Sequence, residues 1–178
     1  MNLYGPQQLA DSMRTVRKNT ILIAEDIPEA SYSYRPTPES RSVAETLLHI
    51  ASLTKIDQRI HEQQRLVSLE GVSFGTLAKG LIDEKRQYSK NEIISELRTE
   101  GDRWCEWVQR IPESALAEPV RMPPGSNPAV KNRFEMLLGT KEHEIHHRAQ
   151  LMVIERLLGI VPHLTRNRQP VAAGARGQ

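Results

Sequence analysis

The chain holds 178 residues, of which 38% are hydrophobic, 26% charged and 4% aromatic. That suits one domain with an aliphatic core and disfavours a sheet protein, which needs β-branched and aromatic runs. One cysteine, Cys105, excludes an intramolecular disulfide and a thiolate-rich metal cluster. The net charge of +2 arises in residues 165–178, which carry Arg166, Arg168 and Arg176 and no acid. Without them 21 basic residues face 22 acidic ones, so the body lacks the basic stripe of a nucleic-acid binder.

The opening residues MNLYGPQQLADSMR lack the basic start and apolar stretch of a secretory leader. No apolar run reaches the ~20 residues of a membrane span. The expectation is a cytoplasmic protein with neither a nucleic-acid nor a membrane partner.

A first helix is predicted between Pro6 and Pro28, with Leu9, Met13, Val16, Thr20, Ile23 and Ile27 on one face. Residues 31–41 are too rich in Pro and Ser to continue it. Ser42 and Glu45 form a capping box that opens a second helix, whose stripe is Thr46, His49, Leu53, Ile56 and Ile60. Gly71, Gly75 and Gly80 make residues 66–88 a loop with one short helical piece. Ser89 and Glu92 form a second capping box, opening a third helix through Ile93, Leu97, Gly101, Trp104, Val108 and Ile111 and ending at Pro112. Five prolines between 112 and 128 make that stretch an irregular crossover, and no strand is expected. The last helix is placed from Lys131 to Leu158, with Gly159 as its C-terminal cap and Pro162 beyond.

Four amphipathic helices with long crossovers predict an all-α four-helix bundle. The domain is placed over residues 1–164, and 165–178 as a disordered tail rich in Arg, Gly and Ala. Substrate identity would reside in the connections 28–41, 66–88 and 112–130.

The informative residues are the six histidines. His143 and His147, four apart, project from one helix face about 5–6 Å from each other, a spacing at which two imidazoles bind one divalent ion. His49 holds the same kind of inward position on the second helix. Burying three imidazoles among aliphatic side chains is costly unless each polar nitrogen finds a partner, and a metal serves all three. The plainer alternative is three core histidines with hydrogen-bond partners. His61 reads as an imidazolium at a helix C-terminus, and His163 as exposed. His146 is turned about 100° from both of its ligand-candidate neighbours.

Residues 143–147 also spell H-E-x-x-H, the zinc-peptidase pattern with Glu144 as general base. Gln150 and Val153 occupy the positions where the extended pattern needs Gly and His. No acidic ligand follows on a separate helix, and no strand edge is predicted to hold a peptide. Peptidase activity is therefore the weakest alternative.

The stretches TPESRSVAETLLHIA (37–51) and EHEIHHRAQL (142–151) resemble the DinB-like (DinB/YfiT-like) metalloenzymes, the second through the pattern H-x-x-x-H-R-x-Q-L. The resemblance spans about residues 7–165. It implies a four-helix bundle, commonly a homodimer, with His49, His143 and His147 holding zinc or nickel, or else iron or manganese. It further implies a thiol S-transferase or hydrolase acting on a small electrophile, with a low-molecular-weight thiol such as bacillithiol or mycothiol as cosubstrate. The family name refers to DNA-damage induction. Ala149, where many members have Gly, departs from the pattern without touching the ligands. Gln150 and Glu144 are candidates for orienting the imidazoles, and Arg148 matches the family's arginine. Cys105, beside Trp104, reads as a packing residue. A metal-binding, stress-associated bundle without turnover is the alternative function.

Overall fold

A computed structural model describes residues 4–81 and 86–167. Pro6 occupies the first position of α1 (Pro6–Asp26), where its missing N–H would be unpaired in any case, and Ile27 leaves the helix in extended backbone before Pro28. The predicted capping boxes form: Ser42 opens α2 (Val43–Gln58) with Glu45, and Ser89 opens α4 (Lys90–Val108) with Glu92. Between them lie a π-helical turn that extends α2 (Arg59–Gln63) and the expected short helical piece, α3 (Phe74–Ala78).

Two readings of the 112–132 region need correction. It contains a short helix, α5 (Glu113–Leu116), and an antiparallel pair, β1 (Pro119–Arg121) with β2 (Val130–Asn132), in which Val120 faces Lys131. Three-residue strands are too short to display a period-two pattern. Lys131 therefore belongs to β2, and α6 (Arg133–Leu157) starts two residues later, at an Asn132–Glu135 capping box. A last turn, α7 (His163–Arg166), folds back after Gly159, whose φ of +77° closes α6. Thr165 and Arg166 thus complete a helical turn, and the rest of the expected tail, 168–178, lies outside the described residues.

Two apolar clusters give the helix directions. At one end the last turns of α1 and α6 meet the first turns of α2 and α4 through Ile23, Ile27, Leu47, Ile93 and Ile154. At the other end the start of α1 meets the end of α4 and the start of α6 through Leu9, Met13, Trp104, Val108 and Leu137. α1 and α6 therefore run one way, α2 and α4 the other. α1 and α2 each pack against both α4 and α6, so they stand on opposite corners of the bundle. Because α2 and α4 are parallel, residues 59–89 must travel back along the bundle. A third apolar cluster, including Ile60, Leu69, Leu77 and Val120, seats this crossover.

Between the two end clusters the bundle has a polar waist. Arg17 of α1 reaches Glu144 of α6 through two nitrogens, at 2.9 Å each, and donates to the carbonyl of Leu97 on α4. Gly101 makes room for it, since a Cβ there would stand 2.8 Å from Arg17 Cγ. No helix among the described residues is long and apolar enough to cross a membrane.

Candidate metal centre

His49 lies two turns into α2, and His143 and His147 sit mid-way along α6, on the faces where these antiparallel helices meet. The structure brings all three together. His143 Nε2 is 3.3 Å from His49 Nε2 and 3.2 Å from His147 Nε2, and the three prospective ligand atoms lie within 4.8 Å of one another. Three nitrogens tetrahedrally placed at about 2.0–2.1 Å from one ion would stand roughly 3.3–3.4 Å apart. Burial, then nearby positive charge, pushes His49 and His143 down to about 4 and lowers His147 as well. All three are therefore neutral at pH 7 and carry a free lone pair.

The proton arrangement favours a cation among them over hydrogen bonds. His147 Nδ1 lies 2.8 Å from Gln150 Oε1, and Gln150 Nε2 lies 3.1 Å from His146 Nε2. The amide oxygen accepts only, so the His147 proton is on Nδ1 and its Nε2 lone pair faces the cluster. One proton on His143 Nε2 cannot make two well-aligned bonds to His147 and His49, and without it two lone pairs oppose each other. His143 Nδ1 is buried without a partner among the described residues. This donor set fits a divalent ion.

The other singled-out residues separate cleanly. Gln150, one turn on, is bonded to His147 Nδ1. Glu144 does not approach the cluster, because its carboxylate is buried and taken by Arg17. It is a bundle-waist ion pair, neither an imidazole-orienting group nor a peptidase base. Arg148 is half-buried and acts electrostatically on Glu144 and His163, not on the three histidines. His61 is no helix-end imidazolium: it is buried, accepts from Arg133 at 3.0 Å, and is pushed down to about 4 by burial and by that cation. His163 is not exposed, because α7 lays it against α1, where it bonds Asn19. Cys105 is buried and raised to about 11 by desolvation, as suits a packing residue.

His49 and His143 line a groove of about 1470 Å³ between α2, α6, the 59–89 crossover and the hairpin. Its walls are largely apolar, with Leu53, Ile56, Met122 and Met136, and Arg41 stands at its rim. The sequence reading missed Asp57, which also lines this groove. Its Oδ2 accepts from Trp104 at 2.8 Å and it is bonded by Thr140, yet burial pushes it up to about 7. The available signal was an acid eight residues after His49, on the same helical face among Ile56 and Ile60.

Comparison with solved structures supports the fold. A DinB-like protein from Bacillus subtilis superposes with a TM-score of 0.65 at 20% identity, over 85% of this chain and 92% of that one. A putative DinB family member from Exiguobacterium sibiricum gives 0.61 at 20% identity, over 89% and 95%. A conserved protein from Enterococcus faecalis gives 0.60 at 17% identity, over 89% and 99%. Among curated proteins no relative matches the chain. The DinB superfamily model, by contrast, matches residues 12–151, which include all three clustered histidines. The chain belongs to the DinB superfamily.

Proposed function

We propose that His49, His143 and His147 hold a divalent ion, zinc or nickel before iron or manganese, and that the protein is a metal-dependent enzyme acting on a small electrophile. A low-molecular-weight thiol S-transferase is the preferred activity, a hydrolase the next. The observation that carries this reading is the convergence of three neutral Nε2 atoms beside a groove that His49 and His143 line. When bound, such an ion lowers the pKa of a coordinated thiol or water into the neutral range. Gln150 holds the His147 proton on Nδ1 and so keeps its Nε2 directed inward. Leu53 and Met136 provide apolar wall against which a substrate body would exclude water.

Metal content of wild type and of His49→Ala tests the first half. One ion per chain, lost in the variant, is expected. Failure to take up zinc or nickel at pH 8 would leave three core histidines and no metalloenzyme. The second reading, a metal-binding bundle without turnover, draws on Glu144: the carboxylate in the peptidase-base position is committed to Arg17. Adding a thiol to the cobalt-loaded protein separates the two, since an open site shifts its visible spectrum and a closed one does not.

A homodimer is part of the proposal. Ile145, Val153 and Leu157 are exposed, with Ala149 between them, one turn apart along the outer side of α6. An apolar stripe of this kind suits an isologous helix contact.

A further inference from the structure

We propose that the groove binds an elongated monoanion, its carboxylate on Arg41 beside the three-histidine cluster and its apolar body along Leu53, Ile56, Met122 and Met136. That such a ligand would be a substrate rests on the metal reading above, but the Arg41 subsite does not.

Three arginines line this groove, and two are already committed. Arg35 is paired with Glu45 at 2.7 Å, and Arg86 with Glu92. Arg41 has no ion pair or hydrogen bond among the described residues, although its charge reaches all three imidazoles. A guanidinium is a fixed fork of donors matched to a carboxylate. With no carboxylate paired to it among the described residues, it is available to a ligand's.

The rest of the groove sets the orientation and the charge. Asp57 lies further along α2, its carboxyl engaged by Trp104 and Thr140 and without an ion pair among the described residues, so it offers a carboxylate no cation. Lys131, on the hairpin wall, has no ion pair among the described residues either, but Glu135 of α6 lines the groove with it, so the two charges offset each other. A phosphate would want bare amides at the start of α2. Those are occupied: Glu45 N donates to Ser42 Oγ, and Ser42 N donates to Glu45 Oε2. An arginine with no ion pair among the described residues, in a groove whose walls are largely aliphatic, suits a singly charged carboxylate with an apolar body.

Calorimetric titration with octanoate and with 1-octanol tests this on metal-loaded and on chelator-stripped wild type. Octanoate is expected to bind roughly tenfold tighter than the alcohol, the scale of one charge-assisted contact. Arg41→Gln should abolish that preference, Arg41→Lys should keep part of it, and Arg35→Gln should leave it intact. The same Arg41 dependence is expected after stripping. Undetectable octanoate binding, or binding indifferent to Arg41→Gln, overturns the proposal. Binding that disappears with the metal also overturns it, since the carboxylate would then be a metal ligand. If the protein takes up no metal yet discriminates through Arg41, the metal reading fails and this one stands.

Discussion

Gln150 shows how much one exposed side chain can decide. Its oxygen sets the tautomer of His147 and its nitrogen is anchored on His146. Gln150→Ala should weaken metal binding about 10–100-fold, read by competition with a chromophoric chelator; unchanged affinity would leave the amide no role at the site. The Arg17–Glu144 pair behaves differently, because both groups are buried. Glu144→Gln alone should cost about 3–5 kcal/mol, and the double change Arg17→Met with Glu144→Leu should recover most of it. Urea denaturation measures both. The histidines give a pH signature with a definite sign. His49 and His143 sit at about 4 in the fold against an ordinary 6.5, so the unfolded chain binds more protons between those values. Metal-free protein should therefore lose stability as pH falls from 6.5 to 4, and a His49→Asn variant should show a shallower loss. Asp57, raised to about 7, acts with the opposite sign, its contribution fading as pH rises from 4 to 7.

At the scale of elements, Gly101 is a junction. Its missing side chain lets Arg17 cross α4 to reach Glu144. Gly101→Ala is helix-favouring in isolation, yet it should destabilise the fold by about 1–3 kcal/mol through overpacking against a buried guanidinium, as thermal unfolding would show. The helices themselves were readable because each carries a long 3.6-residue stripe with a chemical start signal, as Ser42 with Glu45 and Ser89 with Glu92 illustrate. The hairpin was not readable. Val120 is wholly buried, but its strand is three residues long and begins with a proline. Its pairing with β2 depends on contacts between segments eleven residues apart, which no local pattern records. Lys131 and the true start of α6 were misplaced for the same reason, although Asn132 and Glu135 did spell a capping box.

On the scale of the whole molecule, the outer stripe of α6 predicts assembly. Sedimentation velocity should give a dimer for wild type and a monomer for Val153→Glu with Leu157→Glu; a wild-type monomer would remove the homodimer from the proposal. The sequence by itself determined the four long helices and the facing of His49, His143 and His147, because helical periodicity and capping are local properties of the chain. Only the tertiary structure decided that α2 and α6 pack antiparallel with the three Nε2 atoms converging. It alone turned Glu144 towards Arg17, buried His61 and His163, and left Arg41 without an ion pair among the described residues where Arg35 and Arg86 have one. Those outcomes depend on which distant side chains meet, and such meetings are fixed by the long-range packing of the bundle.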